Sequence, residues 1–286
     1  MGISYEQVKA KRPDIIYASL NTYGHVGPFA GRAGHEQIAQ AATGMQERFG
    51  GDGQPQLQKY AVNDYGTGFL GAYAVALALL HRRRTGQGQH VDAALAYTAT
   101  LLQSVFMQDY AGKTWDEPRG QTSVGSGPLH RAYKAIDLWV FLAAPDVASL
   151  AGIEGLEGID SLSGTALEAE LERRIGMAPL ATWQKRFSGR RGVAVHRVVQ
   201  GTRELMDHPW VIAHGLSVAR EHDEMGVVTT VGPAARLSRT PLCPGRPAPA
   251  LGRQTREILA EIGLGKHADA LIASGSVRES MGMAMR

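Results

Sequence analysis

Tyr60-Ala-Val-Asn-Asp64-Tyr-Gly-Thr-Gly68, followed by the apolar run Phe69–Arg83 and then by Arg84-Thr-Gly-Gln-Gly-Gln-His-Val-Asp92, decides the fold. The first piece reads as a Gly-rich strand-to-helix turn that carries one carboxylate. The second has alanines and leucines on nearly every face, the pattern of a buried helix rather than a surface one. The third stops that helix and feeds a short strand, Gln89-His-Val-Asp-Ala-Ala-Leu95, which runs into another helix to about Tyr110. Upstream, Tyr5–Arg12 reads as a short amphipathic helix ended by Pro13, and Asp14-Ile-Ile-Tyr-Ala-Ser-Leu20 as a buried parallel strand. Asn21–Pro28 is a loop, a helix is expected from about Glu36 to Gln46, and Gly50–Gln58 is a polar, Gly-rich excursion. Strand, helix, strand, helix at this spacing predicts a parallel α/β layer.

After Gly112 the composition shifts. Trp115–Pro128 is long enough to be a linker or an active-site segment. Tyr133–Ala143 predicts a hairpin about Asp137, Leu167–Ile175 and Pro179–Phe187 two short helices, and Val193–Val199 either strand or helix. From Val231 the chain is Pro-rich and extended, then closes with a helix over Thr255–Ile262 and a polar tail after Lys266 that is expected to fray. Three parts are expected: 1–112, 113–230 as a smaller α+β unit, and 231–286 returning to the first part.

The 286 residues are ample for one large or two modest domains. A net charge of +3 and a pI near 9.0 suit an anionic ligand. They fall short of nucleic-acid binding, which needs clustered Lys and Arg with aromatics between them. The densest run, His81-Arg-Arg-Arg84, also fits a solvated helix C-terminus. Cys243 is the only cysteine, which excludes an internal disulfide and a cysteine-based zinc site. The polar N-terminus predicts no signal peptide, and Phe69–Leu80, the longest apolar stretch, is too short to span a bilayer. A cytoplasmic protein without membrane partners is expected. No GxGxxG follows a strand, which argues against a nicotinamide-linked enzyme.

Several segments can carry chemistry, and each has an ordinary structural alternative. Asn63 and Asp64 precede an apolar helix and fit a helix cap. Gly66 and Gly68 beside them allow close approach of a ligand and offer N–H donors. Glu36 suits a helix first turn by the macrodipole alone, and His35 suits a loop. Gly125-Ser126-Gly127 fits a flexible connector. Arg84–Gln89 can cradle a phosphate or simply stop a helix.

Read in order, Arg12-Pro-Asp-Ile-Ile-Tyr-Ala-Ser19, Tyr23-Gly-His-Val-Gly-Pro28, Glu36-Gln-Ile-Ala-Gln40, Asp64-Tyr-Gly-Thr-Gly68, Arg84–Val91, Arg236-Leu-Ser-Arg-Thr-Pro241 and Ala250–Glu257 resemble the family III CoA-transferases, the group containing formyl-CoA and carnitine CoA-transferases. The resemblance covers nearly the whole chain. It implies an α/β fold, with a partial Rossmann-like parallel sheet and a smaller α+β domain. It implies that Asp64 is the aspartate that becomes acylated, that Glu36 is an active-site glutamate near it, and that Gly125 to Gly127 form a shortened mobile glycine loop over the carboxylate. Arg32 and His35 lie where the family contacts CoA, and Leu95 where a side chain flanks the pantetheine arm. Gly66 is expected to meet the ligand through its backbone.

The resemblance further implies no permanently bound cofactor, since CoA and acyl-CoA are substrates. An interlocked homodimer is expected, or a partner subunit supplying the half-domain of roughly a hundred residues that precedes the segment matching Tyr5 in the family. A non-catalytic fragment is the alternative from a different class. An α-methylacyl-CoA racemase using His35 and Asp64 is the nearest enzymatic rival, although His35 is followed here by Glu-Gln-Ile-Ala-Gln rather than by the racemases' Asp-Ile-Asn-Tyr.

Overall fold

Ser4 opens the first helix, α1 (Tyr5–Lys11), with a capping box in which the Ser4 side chain accepts the Gln7 N–H and the Gln7 side chain accepts the Ser4 N–H. The computed structural model describes residues 3–280, which divide into two compact units at the boundary between Arg197 and Val198. In the first unit β1 (Tyr17–Asn21) pairs in parallel with β2 (His90–Ala94), Tyr17 opposite His90 and Asn21 opposite Ala94. Between them lie α2 (Glu36–Ala42), α3 (Met45–Gly50) and α4 (Val62–Thr85), and β2 runs straight into α5 (Leu95–Leu102). The class is α/β, as the strand-helix-strand pattern predicts.

The details differ from the sequence reading in instructive ways. The helix expected over Glu36–Gln46 is broken at Gly44, whose φ of 77° begins α3 on a new axis. α5 ends at Leu102 rather than near Tyr110; the chain then tightens into a 3-10 turn over Ser104–Phe106, and the Gln103 side chain donates to the Ala99 and Thr43 carbonyls. α4 starts at Val62, so Asn63 to Gly68 are helix and not a turn, and residues 51–60 before it form no strand. Its end matches the reading. Gly86 adopts the left-handed conformation at φ 77° and donates its N–H to the Arg82 carbonyl, which makes the Arg84–Gln89 segment a helix stop.

The expected burial of α4 is not found. Only Asn63, Thr67, Gly71 and Ala78 are buried, while Tyr65, Phe69, Tyr73 and Leu77, spaced four apart on one face, are exposed. Likewise β1 is half-exposed rather than buried. Two strands cover only one stripe of a helix, so the remaining apolar faces of α4 have no cover among the described residues. The contact line itself is tight. Thr67 and Thr98 share a hydrogen bond of 2.7 Å between α4 and α5, and a Cβ on Gly66 would lie 2.6 Å from Thr98 Cγ2.

Residues 125–197 hold the larger apolar core. β3 (Gly125–Gly127), β4 (His130–Lys134), β5 (Trp139–Ala143) and β6 (Ala194–Arg197) form an antiparallel sheet in that order. The ambiguous Val193–Val199 segment therefore supplies a strand. α6 (Gly164–Ile175) buries Leu167, Leu171 and Ile175, four apart, against Tyr133, Val140 and Leu142 of the sheet. α7 (Leu180–Phe187) adds Trp183 and Phe187, with the indole N–H donating to the Ile175 carbonyl at 2.9 Å. The β4–β5 hairpin turns at Asp137 as expected. That carboxylate accepts the N–H of Leu138 and, across the fold, the N–H of Leu180 at the start of α7, both at 2.9 Å.

The second unit begins with α8 (Thr202–Met206) and α9 (Pro209–Ala213), then an antiparallel hairpin of β7 (Ser217–His222) and β8 (Gly226–Val231). After an extended Pro-rich stretch come α10 (Thr255–Glu261) and α11 (Ala268–Ala273). The expected frayed tail is thus helical in part: Arg256 binds Glu279 and Asp269 on either side and ties residues 268–280 to α10. Residues beyond 280 lie outside the described part.

Two predictions follow from this packing. Gly66→Ala drives a methyl into a threonine that hydrogen bonds hold in place, and it destabilises by about 1–3 kcal/mol in urea unfolding. Gly68→Ala, with nothing within 4 Å of the added Cβ, is neutral or stabilising by up to about 1 kcal/mol. Equal effects would refute the crowded contact. The second concerns Asp137, whose carboxyl is held below the usual aspartate range chiefly by the Leu180 N–H, against burial that raises it. A lowered folded-state value stabilises the chain above the unfolded-state value, and that contribution is lost as pH falls through the folded one. The stability gap between wild type and Asp137→Ala is therefore full at neutral pH and closes in acid below the usual aspartate range, as read by urea midpoints.

Candidate active site

Ala61, a poor helix cap, precedes α4, and no side chain of its own neighbourhood caps the helix. The missing acceptor comes from α2. Glu36 is 4% exposed, and its Oε2 accepts the backbone N–H of Asp64 at 2.7 Å. Its Oε1 accepts Asn63 Nδ2 and Gln40 Nε2, each at 2.8 Å. A buried carboxylate with three N–H donors and no cation paired to it among the described residues is well suited to a helix N-terminus, where partial positive charge collects. Asn63 and Asp64 are therefore not the cap that their position allowed; they sit in the first turn and Glu36 caps them.

Gln40 and Asn63 are both fully buried. Gln40 clamps the loop ahead of α4, donating to the Gln58 carbonyl at 3.1 Å and accepting the Gln58 N–H at 3.0 Å. Asn63 keeps its Nδ2 toward Glu36, which leaves its Oδ1 buried without a partner. Asp64 itself is exposed, and its carboxylate has no hydrogen bond or ion pair with any described residue. The arrangement is a free carboxylate on a backbone that is fixed from below. Such a group can act as a nucleophile.

The other expected site residues spread out. His35 is the residue before α2, exposed, with Nδ1 2.7 Å from Gln37 Oε1. Arg32 is exposed, lies over the Phe29 ring at 4.9 Å and pairs with no described carboxylate. Gly66 faces Thr98, so its missing side chain serves the crossing of α4 and α5. Leu95 is only 9% exposed at the start of α5 and presents little surface to a ligand. The N–H donors expected at Gly66 and Gly68 are inside a helix, as is that of Tyr65, which goes to the Ala61 carbonyl.

Gly125 and Gly127 form a short strand rather than a loop. A Cβ on Gly125 would lie 2.2 Å from the His130 carbonyl oxygen, whereas Gly127 has nothing within 4 Å. The strand lines a cleft of about 230 Å³ with Arg119, Arg131 and Glu168, and Arg131 pairs with Glu168. None of the described hydrogen bonds or ion pairs joins these glycines to Asp64. A second cleft, of about 410 Å³, is lined by Met45, Phe49, Gln58, Val62, Leu102 and Phe106 together with Arg48 and Arg119. Both arginines are engaged, Arg48 over the Phe106 ring and Arg119 with Glu47 and Asp52.

The roles of Gln40 and Gln58 escaped the sequence reading, and Asn63, expected as a helix cap, instead donates its side-chain amide to Glu36. The available signal was the spacing of Glu36 and Gln40, which puts both on one face of a helix, but two polar residues four apart usually mark a solvated face.

Mouse succinyl-CoA:glutarate CoA-transferase is 27% identical over 277 residues, covering 92% of this chain and 63% of that protein. The chain thus spans less than two thirds of that relative's length. Mouse alpha-methylacyl-CoA racemase is 25% identical, covering 96% of this chain and 76% of that protein. The crystal structure of a CAIB/BAIF family protein from Brucella suis superimposes with a TM-score of 0.71 at 26% identity, covering 91% of this chain and 71% of that one. Residues 1–255 match the model of CoA-transferase family III, and the chain belongs to that family.

Proposed function

We propose that the protein moves CoA between an acyl-CoA thioester and a free carboxylic acid, with Asp64 as the nucleophile. The observation that carries this reading is the exposed, unpartnered Asp64 carboxylate on a first turn held by buried Glu36, in a member of this family. An Asp64 oxygen attacks the thioester carbonyl, the C–S bond breaks, and CoA thiolate leaves behind a mixed anhydride. The thiolate attacks the aspartyl carbon of the anhydride, releasing the donor acid and forming an aspartyl-CoA thioester. The acceptor carboxylate displaces the thiolate to form a second anhydride. Thiolate attack on the acceptor carbonyl then yields the new thioester and frees Asp64. The overall exchange trades one thioester for another and is nearly isoenergetic, and covalent catalysis divides one difficult transfer into easier ones.

Glu36 in this scheme holds the nucleophile's backbone rather than carrying a proton, since all three of its described partners are donors. Arg32, exposed and paired with no described carboxylate, is a cation available to a CoA phosphate, with His35 nearby in sequence. Of the two glycines of β3, Gly127 has the room to approach a ligand, and covering the anhydride would keep water from it. A homodimer, or a partner subunit, and a cytoplasmic setting go with the reading. The identity of 25% to a racemase supports a second reading, in which His35 and Asp64 exchange an α-proton.

Incubation with an acyl-CoA, followed by hydroxylamine or borohydride and peptide mass spectrometry, is expected to place the modification on Asp64. Asp64→Ala is expected to lose transfer by roughly a thousandfold or more. Modification elsewhere, with full turnover in Asp64→Ala, would sink the mechanism. Exchange of an α-proton with solvent deuterium in the absence of any carboxylate acceptor would establish the racemase instead.

A further inference from the structure

We propose that Gln40 is the positioning residue for the Asp64 carboxylate, an inference that rests on reading Asp64 as the nucleophile. Gln40 touches neither Asp64 nor the surface, being 0% exposed. Its single amide makes three hydrogen bonds that meet on two sides of the same point in the chain. Nε2 holds Glu36 Oε1, and Glu36 Oε2 in turn holds the Asp64 N–H. The same Nε2 and Oε1 grip both the carbonyl and the N–H of Gln58, three residues ahead of Ala61 at the start of α4.

Residues 51–60 have no regular structure of their own to fix where α4 begins. Gln40 replaces it. A carboxylate with one oxygen pinned by two amides cannot turn about its own axis, so the acceptor for Asp64 stays in place. Without Gln40, Glu36 Oε1 keeps only Asn63, and Gln58 loses both backbone partners. The first turn then has freedom to shift, and a displacement of about 1 Å at a reacting group costs on the order of a hundredfold in rate. Substrate binding does not pass through Gln40, so the loss falls on turnover.

The test uses the full chain with Gln40→Met, which retains length and removes all three hydrogen bonds. First, wild-type protein is trapped with acyl-CoA; labelling of Asp64 establishes the nucleophile independently of Gln40. In Gln40→Met, kcat is then expected to fall about tenfold to a hundredfold with KM for acyl-CoA within about twofold. Hydrogen–deuterium exchange is expected to speed up in peptides covering 57–68 and to stay unchanged in those of α6 and α7. Gln40→Asn, whose shortened amide reaches fewer partners, is the milder variant if Gln40→Met does not fold, and is expected to show the same split. Unchanged exchange at 57–68 overturns the proposal. So does faster exchange with unchanged kcat, a uniform loss of protection throughout the chain, or failure of both variants to fold, each of which leaves Gln40 a purely structural residue.

Discussion

The buried carboxylate of Glu36 is the constraint on which the candidate site depends. An ionised group out of water costs several kcal/mol unless it is fully satisfied, and no cation pairs with this one among the described residues. Three N–H groups satisfy it instead, from the backbone of Asp64 and the side chains of Asn63 and Gln40. Hydrogen bonds to a charged group contribute about 1.5–3 kcal/mol each, so the set offsets the cost only when complete. Completeness therefore fixes α2, the first turn of α4 and the loop at Gln58 relative to one another.

This kind of restraint suits the part of the chain that contains it. Buried apolar residues before Leu95 are mostly alanines, Ala39, Ala78, Ala93 and Ala94 among them, whereas residues 133–193 bury leucines, isoleucines, a tyrosine and a tryptophan. Small side chains let helices and strands approach closely but remove little apolar surface from water, at roughly 25 cal/mol per Å². Directional contacts such as Thr67 to Thr98 and Gln103 to the Thr43 carbonyl then decide the geometry. The α6–α7 core buries the larger apolar surface, and the polar contacts around α4 position Asp64.

The same division explains what was legible in the sequence. Leu167, Leu171 and Ile175 announce a helix face by spacing alone, and Asp137 announces a hairpin, because periodicity and turn chemistry are local. The parallel pairing of β1 and β2 followed from the strand-helix-strand order. The start of α4 was misread because Gly66 and Gly68 look like turn residues, while Gly66 in fact answers to Thr98, 32 positions away. Gly125 was read as a flexible loop for the same reason; its missing Cβ serves the neighbouring strand. The burial of α4 was misjudged because an apolar residue on every face says nothing about how many strands lie beneath. Asp64 and Glu36 stood out only through the ordered motifs that resemble a family, and Gln40 not at all, since burial of a glutamine is a tertiary fact.

Delegating the cap to Glu36 has a consequence for chemistry at Asp64. Had the Asp64 side chain capped its own helix, as its place in the sequence allowed, its oxygens would be occupied. Acylation would then also remove the cap, at a cost of about 0.5–2 kcal/mol. On the proposed mechanism Asp64 loses its negative charge when the first anhydride forms and regains it only when the new thioester leaves, and over that interval the helix N-terminus lacks a favourable neighbour. None of the described contacts of Glu36 involves the Asp64 side chain, so its three donors do not depend on the state of that carboxyl. The backbone that carries the nucleophile is thus held equally well in the free, anhydride and thioester states, which is what a residue that must be attacked, released and attacked again requires.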